Sequence, residues 1–431
     1  MELLLTAITQ NMLSGLCPRN PTRTLAPVSA SARTRRPVID LADGWHLEYD
    51  ESPDELSWQQ WRHLGGHKQS AFLSPAYLQL LEKYPPQGIK TGLLFFFHHG
   101  WPKAGMVVQQ FRFSAARQLK LATPDQQQNV WRRSWSGLGK QLASCISCGV
   151  LVGGQLLATG PHGFNAPAPL SPTQTAMALE ALAAHLGQKG IRIEALLAKE
   201  PSGTDSDWKA AGFLPLPMQP NMTLHVQPEW KNFDGYIQAM SSKYRVRVRR
   251  ARKKLDGIER RELNHSEIVA LSPQLLAYYE EVISDADFNA VHVHQGYFAG
   301  LKAAFPNTFR LWGYFREGKL IGFCTALLQN QEMDAHFIGF SRAMNAHYQL
   351  YLNMLYDLVD AGIQSGVERI VFARTALEIK SSVGAEPEWA PVWMRLRRPA
   401  LHLAATQLTT PLTAWLAPEA NWVQRHPFRE E

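Results

Sequence analysis

The chain of 431 residues is long enough for two or three domains, and 45% of its residues are hydrophobic, which allows sizeable cores. No stretch approaches the ~18–20 consecutive apolar residues that a membrane-spanning helix needs, so the sequence predicts no membrane span. The net charge of +7 is small for this length, and its distribution along the chain is more informative than its sum.

Cysteine usage indicates the redox setting. Four cysteines, Cys17, Cys145, Cys148 and Cys324, are too few for a disulfide framework in a chain of this length. Cys145 and Cys148 form a C-x-x-C, but the second pair that a structural zinc site requires is absent from the sequence, so no metal site is predicted. This pattern favours a reducing, cytoplasmic setting.

The first 40 residues are predicted to be a disordered tail. Residues 20–37 are rich in Pro, Ser, Thr and Arg and contain no acid, a composition typical of a segment without a packed core. The apolar start, residues 1–13, has no basic residue before it and therefore does not resemble a secretory signal.

Residues 41–230 alternate between helical and strand patterns and predict a first α/β unit. Ser171-Pro172-Thr173-Gln174 is a strong helix start, because serine caps the helix, proline suits its first position and glutamine completes a capping box. That helix is predicted to end at Gly190. The other predicted elements are an extended segment around Trp45, a helical stretch through Trp58 and Trp61, helices at 74–83 and 208–211, and strands at 91–98, 104–113, 148–158, 191–197 and 222–226.

A strongly basic segment, residues 231–265, follows and is predicted to connect two domains as a helix. Residues 243–254 include eight basic side chains and no acid, and residues 243–261 together carry a net charge of +8. The rest of the chain is therefore close to neutral. A narrow apolar stripe, predicted to dock between the two domains, recurs at helical spacing: Tyr244, Val248, Ala251 and Leu255.

The cations of this helix are predicted to bind an anionic ligand, since the planar guanidinium group suits phosphate and carboxylate. The candidate ligand-binding residues are Lys243, Arg245, Arg247, Arg250 and Lys254. A solvated helix that only connects two domains remains the alternative interpretation.

The same order of elements returns in residues 266–400. Tyr297 and the two strands after it repeat Tyr77 and its two strands about 220 residues later, which indicates an internal duplication. The predicted elements are helices at 273–283, 296–304, 346–364 and around 380, and strands at 309–315, 320–328, 334–340, 369–372 and 392–396. Residues 401–431 are predicted to form a C-terminal helical extension.

Three segments have distinctive patterns. They are the Ser-x-Lys-x-Arg start of Ser241–Leu255, the long helix His347–Gly362, and an Arg-x-x-x-x-x-Lys followed by Gly-Ala within Phe372–Ala385. Together with the order of elements, they resemble the GNAT acyltransferases, and specifically the FemAB-like, peptidoglycan-biosynthesis-type branch that includes BioF-like acetyltransferases. Over residues 41–400 the resemblance implies an α/β (α+β) fold of two tandem GNAT-like domains, each a mixed, mostly antiparallel sheet flanked by helices, joined by the basic helix.

The resemblance implies an N-acyltransferase that forms an amide on an amine by direct transfer from an acyl-CoA or aminoacyl donor. No cofactor would be tightly bound, and acyl-CoA would be a co-substrate. Arg374 and Lys380 are expected to contact the ligand because they follow a predicted strand, and ligands in such sheets bind beyond the strands' carboxyl ends. Asn353 is a further binding candidate, and Tyr351 and Glu378 are the catalytic candidates.

One feature of the GNAT enzymes is missing. Neither Gly339–Asn345 nor Gly160–Pro167 contains the Q/R-x-x-G-x-G/A loop that holds the CoA pyrophosphate. Three anionic molecules are therefore candidates for the donor or the acceptor: a CoA ester, an aminoacyl-tRNA and a lipid-linked sugar phosphate. Peripheral contact of the protein with a membrane is also expected. The alternative function is a non-catalytic GNAT-fold module that binds nucleic acid or an anionic membrane surface through the Arg-rich helix.

The two copies are expected to be unequal, because only the second contains the full Arg374–Gly384 pattern. We expect the working site in the second copy or between the two copies. His162, in the first copy, is expected to contribute little.

Overall fold

The computed structural model describes residues 36–41, 43–114, 147–166, 170–216, 218–284, 291–403, 405 and 422–428. The predicted tail as far as residue 35, Cys145 and most of the predicted C-terminal extension lie outside these residues. Within the described part of the chain, no helix combines the length and the apolar character needed to cross a membrane.

The described residues of the first half form four α-helices: α1 (Glu55–Leu64), α2 (Pro75–Lys83), α3 (Pro172–Gln188) and α4 (Asp205–Ala210). Its strands are β1 (Val38–Asp40), β2 (Trp45–Asp50), β3 (Ile89–His98), β4 (Trp101–Ser114), β5 (Ser147–Gly153), β6 (Phe164–Asn165), β7 (Ala195–Lys199), β8 (Leu214–Leu216) and β9 (Asn221–His225). The predicted capping box is present, since Gln174 N donates to Ser171 Oγ at 3.2 Å and Ser171 N donates to Gln174 Oε1 at 3.0 Å.

In the second half, the part of the chain that the structure describes has seven α-helices. They are α5 (Phe233–Gln238), α6 (Ser242–Lys253), α7 (His265–Ile283), α8 (Tyr297–Ala304), α9 (Arg342–Tyr348), α10 (Leu350–Gln364) and α11 (Leu377–Ser381). Its strands are β10 (Glu259–Glu262), β11 (Phe309–Arg316), β12 (Lys319–Gln329), β13 (Glu332–Asp334), β14 (Ile338–Phe340), β15 (Arg369–Val371), β16 (Glu386–Glu388) and β17 (Val392–Leu396). The helix predicted at 346–364 is broken, because Gln349 has the left-handed backbone angles φ 52° and ψ 44°.

Two mixed sheets result. The first has the order β1-β2-β3-β4-β5-β7-β17-β8, and the second has the order β10-β11-β12-β13-β15-β9-β16. Each contains one parallel pair, β5 with β7 and β13 with β15, and its other pairs along these orders are antiparallel. The predicted α/β (α+β) fold with two mixed, mostly antiparallel sheets flanked by helices is confirmed.

The two halves exchange their closing strands. β9, which the sequence predicted as the last strand of the first unit, lies between β15 and β16 of the second sheet. β17 lies between β7 and β8 of the first sheet. Each of the predicted ranges 41–230 and 266–400 therefore contains a strand of the other sheet. An alternating pattern identifies a strand but not its partner, so the sequence could not show this exchange.

The basic helix α6 packs on the second half. Tyr244, Val248 and Ala251 are buried in a core cluster whose other members come mainly from the second half, so the prediction that the stripe docks between the domains is wrong. The predicted helical connector also includes a strand, because β10 pairs with β11 at the edge of the second sheet. The short pattern Glu259–Glu262 carries too many charges to be recognised as a strand.

The halves share a second hydrophobic core. It combines side chains from α1, α2 and β3 with side chains from α7, α8, β11 and β12. Gly300 of α8 allows the close approach of α2, because a Cβ at that position would lie 2.9 Å from the ring of Tyr84. The halves are therefore joined both by exchanged strands and by common packing.

Candidate functional site between the halves

The carboxyl ends of the two parallel strand pairs face each other across the boundary between the halves. The segment 155–162 follows β5, Glu200 follows β7, His336 follows β13 and Arg374 follows β15. Glu200 and Arg374 are joined across the boundary at 2.6 Å, and the rings of His162 and His336 lie 4.9 and 5.4 Å from the ring of Phe72. Ligands in α/β sheets bind beyond strand carboxyl ends, so we take this region, the inter-half site, as the candidate functional site.

Two tyrosines from equivalent places in the duplication meet in this site. Tyr77 lies near the start of α2 and Tyr297 at the start of α8, and their hydroxyl oxygens are 3.0 Å apart. Tyr297 Oη is also 2.7 Å from Nε2 of His336. Both tyrosine side chains are fully buried. The three residues form a hydrogen-bonded series across the boundary, which we name the Tyr–His chain.

Burial fixes the protonation states of this chain. Burial raises the pKa of Tyr297 well above its ordinary value, and the nearby Tyr77 adds to the effect. Burial lowers the pKa of His336 to about 3, with a smaller contribution from His162. At neutral pH, Tyr297 is therefore a protonated hydroxyl and His336 is an uncharged imidazole. In these states the hydrogen bond between Tyr297 Oη and Nε2 of His336 joins two uncharged groups.

The first half supplies further polar groups to the same site. Ser70 Oγ lies 2.9 Å from Nδ1 of His162, and burial, with a contribution from Lys199, lowers the pKa of that histidine to about 4. The amide nitrogen of Gln155 donates to the carbonyl of Phe72. Its Oε1 is buried and has no hydrogen-bond donor among the described residues. A ligand carrying an N–H group could satisfy this oxygen.

Arg374 is held by the protein's own acceptors. Its Nη2 donates to Glu200 Oε1 at 2.6 Å and to the carbonyl of Ala390 at 2.8 Å, and its Nη1 donates to the carbonyl of Gln219 at 2.7 Å. Burial alone would raise the pKa of Glu200, but Lys199 and Arg374 hold it below its ordinary value. Gln219 lies just before β9 and Ala390 just before β17. The hydrogen bonds of Arg374 therefore help to hold the two exchanged strands in place. Its contact with a ligand stays a prediction.

Lys380 supports the loop that contains Arg374. Its ammonium nitrogen donates to the carbonyl of Arg374 at 2.7 Å and to that of Ala373 at 3.3 Å, and the side chain is 5% exposed. Ala373, Thr375 and Ala376 have φ angles of 58°, 73° and 49°, a left-handed conformation that costs roughly 1–2 kcal/mol for each such residue. Lys380 therefore stabilises a strained loop at the end of β15.

The pH dependence of stability tests the environment of Lys380. Burial lowers its pKa from 10.5 to about 7. Between those values the unfolded chain binds one proton more than the folded chain, so stability should rise with pH. Between pH 6 and pH 9 we expect this lysine to add about 2–3 kcal/mol to the free energy of unfolding. Urea unfolding of wild type and Lys380→Met measures the effect, and an equal pH slope in both would contradict it.

The other candidates of the second half have local contacts. Asn353 is fully buried on α10 and its Nδ2 donates to the carbonyl of Ala251 at 2.9 Å, which fastens α6 to α10. Tyr351 is the second residue of the same helix, and burial raises its pKa. Glu378 accepts from Nε of Arg425 at 3.2 Å. Among the described residues, none of these contacts reaches the Tyr–His chain, and the catalytic roles of Tyr351 and Glu378 stay predictions.

The predicted cationic ligands on α6 divide into two groups. Arg245 donates to the carbonyl of Met240 at the helix start, and Arg247 is half-buried. Lys243, Arg250 and Lys254 are exposed. The structure therefore directs only part of the predicted set toward solvent.

The helix N-termini that could hold a donor pyrophosphate already use their first positions. At the start of α9, the backbone N–H of Arg342 donates to Oε2 of Glu281 at 3.0 Å. At the start of α3, Pro172 has no N–H, and the N–H of Gln174 donates to Ser171. This agrees with the absence of a Q/R-x-x-G-x-G/A loop from both halves.

Sequence reasoning missed the centre of this site. Tyr77 and Tyr297 were recognised as equivalent positions, but no role was predicted for them, and His336 was not singled out. The available signal was the tyrosine pair itself, because Tyr77 and Tyr297 occupy equivalent positions of the duplication. The expectation that His162 contributes little is untested, although the structure places it beside His336.

Comparison with known proteins identifies part of the chain. Residues 242–381 match the acetyltransferase (GNAT) domain family. No curated protein matches.

Solved structures similar to this chain include FemX, a tandem GNAT protein and the C-terminal domain of a putative synthetase. FemX is 10% identical, with 86% of this chain and 100% of that chain covered and a TM-score of 0.46. A tandem GNAT protein from the clavulanic acid biosynthesis pathway is 13% identical, with coverage of 82% and 99% and a TM-score of 0.43. The C-terminal domain of a putative lysylphosphatidylglycerol synthetase from Agrobacterium fabrum is 9% identical, with coverage of 82% and 96% and a TM-score of 0.42.

The family match begins at the first residue of α6 and ends at the last residue of α11, so it includes Tyr297, His336 and Arg374. The resemblance first suggested by the Ser-x-Lys-x-Arg and Arg-x-x-x-x-x-Lys patterns is confirmed for this region. Residues 242–381 of this chain are therefore similar to the GNAT acetyltransferase domain family.

Proposed function

We propose that this protein is an N-acyltransferase that forms an amide on an amine acceptor, with its working site at the Tyr–His chain. The observation that carries the proposal is the 2.7 Å contact between Tyr297 Oη and His336 Nε2 within the GNAT domain. It pairs a fixed proton donor with a fixed proton acceptor at the carboxyl end of β13. Acyl transfer to an amine needs both.

The proposed reaction is direct. The amine nitrogen attacks the carbonyl carbon of the donor, a C–N bond forms, and the bond from that carbon to sulfur or oxygen breaks. His336 accepts the proton that leaves the amine nitrogen, and Tyr297 supplies a proton to the departing thiolate or alkoxide. The hydrogen bond between them then returns the proton from His336 to Tyr297, so the pair regains its starting state.

Two observations support the kinds of acceptor and donor that we propose. Gln155 Oε1, buried and without a donor among the described residues, supports an acceptor that presents an N–H group. The engaged amides at the starts of α3 and α9 support a donor whose phosphates are held elsewhere than at these helix N-termini. The donor proposed is an acyl-CoA or an aminoacyl ester such as aminoacyl-tRNA, and the acceptor proposed is an amine, with a lipid-linked sugar phosphate of the cell envelope as one candidate. The proposed setting is the cytoplasm.

A transfer assay with matched variants tests the proposal. Acetyl-CoA, longer acyl-CoAs and aminoacyl-tRNA would be incubated with a panel of primary amines, and amide products would be measured by mass spectrometry. We expect Tyr297→Phe and His336→Gln each to lower kcat by about 10²–10⁴-fold, the usual contribution of a positioned acid or base. Tyr278→Phe, which removes a hydroxyl bonded to the carbonyl of Leu320, and His347→Gln, at an exposed position, are the controls.

The possible results of this assay test the assigned residues and the proposed activity separately. Transfer that both site variants retain in full would contradict the assignment of Tyr297 and His336. No amide from any donor in the panel would contradict the proposed function. Circular dichroism of each variant verifies that a loss of activity is not a loss of fold.

A further inference from the structure

The outward side of α6 is a rigid cationic surface. The stripe formed by Tyr244, Val248 and Ala251 is buried in the second half, and Asn353 of α10 bonds to the carbonyl of Ala251. The position of the helix is therefore fixed by packing. Its other side faces solvent.

Part of the charge of α6 is used inside the protein. Arg252 donates to Oδ1 of Asp357 at 2.7 Å, and its guanidinium group lies 4.9 Å from the centre of the Phe233 ring. Arg245 donates to the carbonyl of Met240. These arginines stabilise the fold and are not available to a partner.

Four further cations have no such role. The side chains of Arg249, Arg250, Lys253 and Lys254 are exposed, and none of these side chains has an acidic partner or a hydrogen bond within the described part of the chain. In contrast, arginines elsewhere on the surface, such as Arg62 and Arg425, pair with carboxylates. We name these four residues the basic face. They occupy less than two helical turns, or about 8 Å along the axis.

The like charges of the basic face indicate an anionic partner. Arg249 lies four residues before Lys253, and Arg250 lies four residues before Lys254. Residues at this spacing are neighbours on the helix surface, so the like charges repel each other and destabilise the helix. An anionic partner would remove this repulsion. The only large apolar side chain exposed on the described helix is Val246, at 38%. A helix that lies in a membrane interface has a broad apolar face for insertion, and α6 has already buried its apolar stripe.

We propose that the basic face binds the phosphodiester backbone of nucleic acid. Arginine and lysine side chains that neutralise successive phosphates release counterions, which provides affinity without sequence recognition. The proposal does not depend on acyl transfer, because it concerns a surface of α6 and none of the residues of the inter-half site. RNA and DNA share this backbone chemistry, and the experiment distinguishes them.

Binding would be measured by fluorescence anisotropy of the full chain with a labelled 20-nucleotide RNA, with the DNA strand of the same sequence and with its duplex, at several salt concentrations. The test variant changes Arg249, Arg250, Lys253 and Lys254 to Gln. The control variant changes four exposed lysines outside α6 to Gln and therefore has the same net charge: Lys90, Lys103, Lys209 and Lys319. Removal of like-charge pairs should leave the unfolding midpoint of the test variant no lower than that of wild type.

We expect the test variant to bind at least tenfold more weakly at low salt. Its slope of log K against log salt should be flatter by about 2–3 for single strands, since each phosphate engaged contributes about 0.7. The control variant should retain most of the affinity and slope. Tighter binding of the RNA than of both DNA forms would support the proposal and identify RNA as the partner.

Two results would overturn the proposal. One is equal nucleic-acid binding by the test and control variants. The other is binding of vesicles of phosphatidylcholine with 20% phosphatidylglycerol that the test variant loses, while neither RNA nor DNA binds to wild type. The second result would identify an anionic membrane as the partner of the basic face.

Discussion

Arg374→Ala should lower the free energy of unfolding by about 3–5 kcal/mol, because it removes one partner of a buried ion pair. The Glu200 side chain is 2% exposed, and Arg374 provides its 2.6 Å contact across the boundary. Without the guanidinium group, Lys199 is the remaining cation within salt-bridge distance of Glu200. The carbonyls of Gln219 and Ala390 would also lose their donor. Urea unfolding of the full chain measures the loss.

A double variant distinguishes this explanation from simple loss of contacts. Glu200→Gln removes the buried charge, so the combination with Arg374→Ala should cost less than the sum of the single substitutions. Arg62→Ala is the matched control, because its partner Glu55 is exposed and such pairs contribute about 0–1 kcal/mol. If Arg374→Ala unfolds at the wild-type urea concentration yet abolishes transfer, Arg374 would act on a ligand as the sequence predicted, and our structural role for it would be wrong.

Asp357→Ala should also destabilise the protein by about 3–5 kcal/mol. This carboxylate lies on α10 with 7% of its side chain exposed, 2.7 Å from Arg252 and 3.7 Å from Arg260. It also accepts from the hydroxyl of Tyr314. The substitution would leave two guanidinium groups facing each other and a buried hydroxyl without its acceptor. Because these groups belong to α6, β10 and β11, the loss should loosen the basic helix first.

Hydrogen exchange gives this prediction a local measure. Amides of α6 should exchange faster in Asp357→Ala, while those of α3 in the first half should change less. Asp360→Ala is the control on the same helix, since Asp360 bonds only to the exposed Gln364 among the described residues. We expect that control to lose less than about 1 kcal/mol. Uniform loss of protection in both halves would show that the network supports the whole fold rather than the position of α6.

Local sequence determined the elements of this protein. Ser171, Pro172 and Gln174 fix the start of α3, because capping depends on neighbours within one helical turn. The strand Val392–Leu396 was predicted with its observed limits. The order of these elements, repeated after about 220 residues, predicted an internal duplication, and the resemblance to the GNAT acyltransferases implied the fold of each copy. Burial of α6 along Tyr244, Val248 and Ala251 also followed from helical spacing.

Long-range pairing was not encoded in any local pattern. The alternation in β9 and β17 shows that they are strands, yet only the packed chain decides that each joins the other half's sheet. The Arg374–Glu200 contact depends on that exchange and joins residues 174 positions apart. For this reason the sequence led to Arg374 as a ligand contact, whereas the structure shows it engaged with the protein itself.

The protonation states of the site also required the tertiary structure. Tyr77, Tyr297 and His336 are ordinary residues in the sequence, and their pKa values are shifted only because the two halves bury them together. The charge of α6 was visible from composition, but the division between Arg252, bound to Asp357, and the solvent-facing basic face was not. The sequence by itself determined the elements and their duplication, because these depend on neighbouring residues. Only the tertiary structure decided strand partners, buried charge pairs and proton donors, because these depend on residues brought together from distant parts of the chain.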